Sequence, residues 1–139
     1  MSDIKSKEAR SYNMRQIKNK NTKPELIIRR WLLSYGYRYR LHVKNLPGKP
    51  DIVLPKYKTI ILVNGCFWHG HEGCKFFVWP QTNTEFWHEK ISATMKRDRK
   101  KYQELCDLGW IVTVIWECQI SEVIKQHPEN VMPSLYRKI

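Results

Sequence analysis

Two short apolar runs, Thr59–Val63 and Trp110–Trp116, constrain the fold more than anything else in the chain. Between them, Thr84–Leu108 repeats Trp87, Ile91, Met95, Tyr102 and Leu105 at helical spacing, with Thr84 as a cap and Gly109 as a stop. A strand, a crossover helix and a second strand in one sheet run parallel, because the crossover returns the chain to its starting edge. Both strands then end at the same edge, and the residues just beyond them are neighbours. Open α/β sheets place their sites at such an edge.

The upstream half supplies the rest of the sheet. Thr22-Lys23-Pro24-Glu25 reads as a capping box, with Thr22 as N-cap and Glu25 at N3, opening a helix over Pro24–Tyr35 that stops at Gly36. Tyr37–Leu41 alternates as a half-buried strand does, and Asn45–Gly48 is a turn cluster. Asp51–Leu54 and Thr59–Val63 form a hairpin across Pro55–Lys58. A short helical tail, broken by Pro128 and Pro133, closes the chain. The order α-β-β-β-α-β predicts a mixed sheet with flanking helices, an α/β fold. If Leu54 pairs with Thr59, Asp51 falls opposite Leu62, beside Val63. One edge then gathers Asp51, Val63, Asn64, Cys66, His69, His71 and Cys118.

A length of 139 residues suits one compact unit. Residues 1–21 carry six basic and two acidic side chains and read as a basic arm, with a short helix around Ala9–Ile17; residues 22–139 read as a single domain. Twenty-five Lys and Arg against thirteen acidic residues leave a net charge of +12, which points to a polyanion and above all to nucleic acid. No apolar run is long enough to span a membrane, and the N-terminus lacks the apolar core of a secretory signal, so the expectation is a soluble protein of the cell interior.

Four cysteines in such a chain read as metal ligands or buried thiols before disulfides. Cys66-x4-His71-x2-Cys74, with Cys118 at the parallel strand end, can complete a tetrahedral shell of the structural zinc type. That leaves His69 available for chemistry and Cys106 as a packed core thiol. Pro50-Asp51 places a carboxylate where it could hold Mg²⁺, which prefers oxygen ligands. Asp98 lies on the inward stripe of the long helix, so it needs a partner: His69, or Arg97 or Arg99 in a structural salt bridge. Phe67-Trp68 and Phe86-Trp87 are aromatic pairs close to basic residues, suited to wedging between bases; Trp110 and Trp116 are assigned to the core. Lys96, Arg97, Arg99, Lys100 and Lys101 form a helix face that is either phosphate-directed or simply solvated.

Several stretches together resemble the very short patch repair (Vsr) DNA mismatch endonucleases. They are Arg10-Ser11-x-Asn13-Met14-Arg15-x-Ile17, Thr22-x-Pro24-Glu25, Leu46-Pro47-Gly48-Lys49-Pro50-Asp51, Gly65-Cys66-Phe67-Trp68-His69-x-His71, Thr84-Glu85-Phe86-Trp87 and Trp116-Glu117-Cys118. The resemblance implies a restriction-endonuclease-like fold with a structural zinc. It implies Mg²⁺-dependent nicking of double-stranded DNA on the 5′ side of the T in a T:G mismatch, the product of 5-methylcytosine deamination. It also implies a functional link to a cytosine-5 DNA methyltransferase, a monomer, and a prokaryotic, cytoplasmic, nucleoid-associated location. A mismatch-repair factor is a further candidate partner that no residue here identifies.

Carried over by position, the resemblance makes Asp51 and the main chain of Val63 the Mg²⁺ ligands and His69 the general base. Glu25 supports the water network; apart from the resemblance, the helix stripe supplies Asp98 as a neighbour that could tune His69. Cys66, His71, Cys74 and Cys118 hold zinc, and Phe67, Trp68 and Trp87 form the intercalating wedge. Arg15, Lys18 and Lys20 belong to the arm that clasps the duplex. Two departures stand out. Well-studied members carry Thr-His where this chain has Val63-Asn64. A main-chain carbonyl serves equally from Val63, whereas Asn64 can hydrogen-bond a phosphate or water but cannot shuttle a proton. Gly73 is an extra residue before Cys74, so the ligand turn differs there. Two rival readings follow: a nuclease of the same fold with another target, and a zinc module that only binds nucleic acid.

Overall fold

The computed structural model describes residues 22–75 and 77–136. The arm expected over residues 1–21, with its short helix and with Arg15, Lys18 and Lys20, lies outside them. Helix α1 spans Lys23–Ser34, capped by Thr22, whose hydroxyl accepts from the Glu25 N–H at 3.4 Å. Proline in the first turn suits α1 because its missing N–H would have no intrahelical partner there. Strands β1 (Arg40–Leu41), β2 (Ile52–Leu54), β3 (Thr59–Asn64) and β4 (Ile111–Trp116) form one sheet in the order β1-β2-β3-β4. The first two pairings are antiparallel and β3 pairs with β4 in parallel, across helix α2 (Thr84–Asp107).

The expected register holds, with Leu54 opposite Thr59 and Ile52 opposite Ile61. The connection is a 3₁₀ turn over Pro55–Tyr57, closed by Lys58 at φ 53°. Proline supplies the fixed φ of such a turn, and the left-handed Lys58 redirects the chain into β3. Alternate residues of the strands face opposite layers. Ile52, Leu54, Ile61 and Ile115 pack with Ile28, Trp31 and Leu32 of α1. Val53, Ile60 and Leu62 pack against Leu105 of α2, with Val112 and Val114 beside them. The result is an α/β arrangement with helices on both faces of a mixed four-stranded sheet. The C-terminal pieces, α3 (Ile120–Val123), α4 (Pro128–Val131) and a 3₁₀ turn at Pro133–Tyr136, close the α1 side. The Trp31 indole N–H donates to the Gln126 carbonyl at 2.9 Å, and Tyr37 hydrogen-bonds Glu129.

The structure corrects several local expectations. The alternation over Tyr37–Leu41 survives as burial, yet only Arg40–Leu41 enters the ladder. The cap of α2 is Asn83 in a left-handed conformation (φ 52°), not Thr84. Asparagine tolerates that backbone where threonine, β-branched, does not. Cys106 is exposed rather than packed in the core. It sits one position beyond Leu105, the residue on α2 that faces the sheet, and that rotation carries it outward. Pro128 and Pro133 open their elements instead of breaking a continuous tail.

Two glycines adopt positive φ for different reasons. Gly36 (φ +84°) ends α1 in open space. Gly70 (φ +62°) lies against α2, where an added Cβ would meet Met95 Cε at 2.2 Å and Ile91 Cγ2 at 2.9 Å. Gly36→Ala is therefore expected to lower stability by about 1–2 kcal/mol, the left-handed penalty alone. Gly70→Ala should lose an additional ~1–3 kcal/mol from overpacking. Urea denaturation of both variants checks the ranking.

Candidate active site and metal centre

Asp51 stands immediately before β2, and register brings it beside β3. The Val63 N–H donates to its Oδ2 at 3.1 Å. Two imidazoles and a second carboxylate share this edge. Burial pushes the Asp51 carboxyl up to about 6, and the nearby Glu25 charge pushes the same way; the Val63 N–H and the two histidines, His42 and His69, pull it back. Glu25 comes from the first turn of α1 and is 1% exposed. Its Oε2 contacts Arg29 Nη1 at 3.2 Å and His42 Nε2 at 3.1 Å. The crowding of two buried carboxylates is what a bound dication relieves, and their oxygens match the donors Mg²⁺ prefers. On donor chemistry, the residues present fit such an ion.

His69 lies in the turn after β3, where its N–H donates to the Gly65 carbonyl at 3.2 Å. Its Nδ1 is 2.7 Å from Asp98 Oδ2. Of the partners open to Asp98, the structure selects the imidazole, and it does so with a carboxylate only 7% exposed. Such a contact fixes the ring with Nδ1–H toward the carboxylate and Nε2 as its basic atom. Asn64, at the end of β3, is buried, and its Nδ2 donates to the Tyr102 hydroxyl at 3.0 Å. Burial and the Asp98 charge raise the Tyr102 phenol, so it keeps its proton.

The second cluster hangs from the same two strand ends. Ligand atoms of Cys66, His71, Cys74 and Cys118 all lie within 4.8 Å of one another, and Cys118 Sγ is 3.5 Å from His71 Nδ1. A tetrahedral zinc with bonds of about 2.0–2.3 Å sets its ligand atoms roughly 3.3–3.8 Å apart, so the donor set fits. Burial raises the Cys66 thiol to about 12; a hydrogen bond from the Cys118 main chain pulls it back, while the Cys118 and Cys74 thiols push the same way as burial. The extra residue of the ligand turn, Gly73, is absorbed by a left-handed backbone (φ +75°) in open space. Trp116 belongs here rather than to the core. Its indole stacks on the His71 ring at 4.0 Å and 4°, because the parity of β4 turns it toward the loop.

Phe67, Trp68 and Trp87 converge as expected. Their ring centroids are 5.3 Å (Phe67–Trp68), 5.4 Å (Phe67–Trp87) and 5.7 Å (Trp68–Trp87) apart. Phe67 and Trp68 border an open cleft of roughly 1030 Å³ lined also by Asp51, Asn64, His69, Asp98 and Tyr102, with Lys44, Lys49, Lys90 and Lys101 around it. The exposed Phe86 and Trp79 extend the aromatic surface, Trp79 stacking on His88 at 4.0 Å. Sequence reasoning missed His42 and Tyr102 as site residues. Tyr102 lies one turn beyond Asp98, a spacing visible in the sequence, whereas His42 is brought beside Asp51 by the β1–β2 register, which no motif marks.

The raised Asp51 carboxyl has a measurable consequence. It binds its proton more tightly folded than unfolded, so stability falls as pH climbs from about 3.8 to about 6 and stays lower above that window. In the presence of chelator, Asp51→Asn should therefore be more stable than wild type at pH 7.5, by up to about 3 kcal/mol, and nearly equal to it at pH 3.5. Urea titrations at the two pH values measure the difference.

A family model described as DNA mismatch endonuclease Vsr matches residues 2–76. The chain is 46% identical over 123 residues to the type II nicking enzyme V.XorIIP of Xanthomonas oryzae pv. oryzae, covering 88% of this chain and 90% of that protein. It is 47% identical over 120 residues to the type II nicking enzyme V.NmeAIP of Neisseria meningitidis, covering 86% and 85%. To the DNA mismatch endonuclease Vsr of Escherichia coli it is 42% identical over 120 residues, covering 86% of this chain and 76% of that one. With a family match over more than half its length and such likeness along nearly all of it, the chain belongs to the Vsr DNA mismatch endonuclease family.

Proposed function

We propose that this protein is a strand-specific DNA endonuclease that nicks on the 5′ side of the T in T:G mismatches left by deamination of 5-methylcytosine. The reaction is a Mg²⁺-dependent phosphodiester hydrolysis on a restriction-endonuclease-like core. One observation carries the reading. Asp51, fixed by the Val63 N–H, and His69, fixed by Asp98, converge at one sheet edge inside a cleft bordered by aromatic rings and lysines. Relatives named as mismatch endonuclease and as nicking enzymes support the same chemistry.

Asp51 and the main-chain carbonyl of Val63 would hold Mg²⁺, with Glu25 ordering water beside it. When bound, the ion polarises the phosphate and stabilises the leaving oxygen. His69 takes the proton of the attacking water on Nε2, and Asp98 stabilises the imidazolium that forms. Asn64 cannot take part in that transfer; its amide is tied to Tyr102 and orders the cleft wall. Lys44, Lys49, Lys90 and Lys101 attract the phosphate backbone, and the arm bearing Arg15, Lys18 and Lys20 clasps the duplex. Phe67, Trp68 and Trp87 enter the base stack. A T:G wobble pair is easier to unstack than a matched pair, so the wedge selects it energetically. Such mismatches arise where a cytosine-5 methyltransferase has modified its sites, which links the protein functionally to that enzyme; we take it to act as a monomer. Zinc on Cys66, His71, Cys74 and Cys118 is structural, fixing the wedge loop.

End-labelled duplexes with one central T:G, and matched T:A and C:G controls, test the activity. Wild type with Mg²⁺ should give a single nick 5′ of the mismatched T. Asp51→Ala should abolish it, and His69→Ala should slow single-turnover nicking about 10²–10⁴-fold with duplex binding retained. Binding without a nick would leave only the zinc-module reading. Equal nicking of matched duplexes would leave the chemistry and remove the mismatch specificity.

Metal analysis of purified protein should find a single zinc per chain. Cys118→Ser should lose it and lower the thermal midpoint, and a strong chelator should do the same to wild type.

A further inference from the structure

Beside Asp51 lies an imidazole that the proposed reaction does not use. His42 follows β1 in a left-handed conformation (φ 48°), a backbone that a non-glycine residue keeps only where its surroundings hold it. Its N–H donates to the Asp51 carbonyl at 3.1 Å, so the β1–β2 register delivers its ring to the site. Its Nε2 lies 3.1 Å from Oε2 of the buried Glu25. One ligand atom each from Glu25, His42 and Asp51 fall within 4.8 Å of one another.

We infer that Glu25, His42 and Asp51 form a mixed nitrogen–oxygen site for a divalent cation, in which direct ligation by His42 gives the cleft a preference for Mn²⁺ over Mg²⁺. The inference rests on reading Asp51 as a metal-holding carboxylate, adds an imidazole to that site, and moves Glu25 from ordering water to direct ligation. Two donors bound at a right angle through bonds of about 2.1 Å lie about 3.0 Å apart, close to the His42–Glu25 separation. The three groups come from α1, the turn after β1 and the start of β2, so they approach from separate elements and enclose a common point. Arg29 holds the same Glu25 oxygen at 3.2 Å, so the cation shares that carboxylate with the guanidinium. His42 exchanges its bond to Glu25 for one from its ring lone pair to the ion. Imidazole favours first-row transition ions, whereas Mg²⁺ keeps to oxygen and water.

The test uses the full chain with its zinc in place, Mn²⁺ alone and no DNA. Electron paramagnetic resonance counts bound Mn²⁺, and pulsed measurements read ¹⁴N coupling from a directly bound imidazole. Wild type is expected to bind Mn²⁺ with such coupling, converted to the ¹⁵N pattern when histidine is isotopically labelled; that comparison needs no variant to fold. His42→Gln should lose the coupling and weaken Mn²⁺ by at least about tenfold, with Mg²⁺ competition changed much less. His69→Ala should keep both. Coupling that survives His42→Gln, or is absent from wild type, would overturn the inference. If oxygen-only Mn²⁺ binding is lost in Asp51→Asn, the Asp51 reading stands and the His42 ligand falls. If Asp51→Asn leaves Mn²⁺ binding untouched, both fall.

Discussion

Parallel pairing of β3 with β4 brings together the Cys/His cluster and the turn that carries His69 and the aromatic rings. The two strands run in register from Thr59 opposite Ile111 to Asn64 opposite Trp116, so both chains leave the sheet at one level. Cys66 and Cys118 each lie two residues beyond those last partners and meet at the same corner. His71 and Cys74 complete that corner from the loop, and Trp116 fixes the His71 ring by stacking. The turn tied down by this cluster also carries Phe67, Trp68 and His69. Antiparallel pairing of β3 with β4 would instead put Cys66 and Cys118 at opposite edges of the sheet.

The antiparallel half of the sheet contributes the acidic groups. Because β2 runs against β3, the start of β2 faces the end of β3, and Asp51 takes the Val63 N–H. Glu25 reaches the same point from the first turn of α1, and Ile28, Trp31 and Leu32 lock that helix into the core. Two carboxylates held this close by hydrophobic packing cannot relax apart. Burial raises the Asp51 carboxyl and the Glu25 charge adds to it, a conflict that a cation bound between the two would relieve. Stability and chemistry therefore pull against each other at Asp51.

Much of this was legible in the sequence because it rests on periodicity and parity. The position of Asp51 beside Val63 follows from one hairpin pairing and the two-residue period of strands. The inward aim of Asp98 follows from its spacing to Met95 and Tyr102, and the structure adds which partner it meets, His69. Elsewhere the signal was too local. Trp116 reads as core because its strand is apolar throughout, and only three-dimensional proximity to His71 shows its other use. His42 carries no motif, and its left-handed backbone falls where the chain leaves β1 for the loop to β2, with its N–H tied to the Asp51 carbonyl. Cys106 shows the converse, since hydrophobic character suggests burial while the helix phase carries it to the surface.

The two imidazoles at this edge differ in which nitrogen is engaged, and that difference assigns their roles. His69 meets its carboxylate through Nδ1, which leaves Nε2 as the basic atom at the cleft. His42 meets Glu25 through Nε2, on the side where Asp51 also lies. A water-activating base needs a basic nitrogen facing substrate, whereas a ligand needs one facing the other anionic donors. Asn64 cannot supply a third titrating group, and its amide is committed to Tyr102, a phenol that keeps its proton. In the proposed reaction, proton transfer therefore falls to His69, and His42 faces the carboxylates of the proposed cation site in the same cleft.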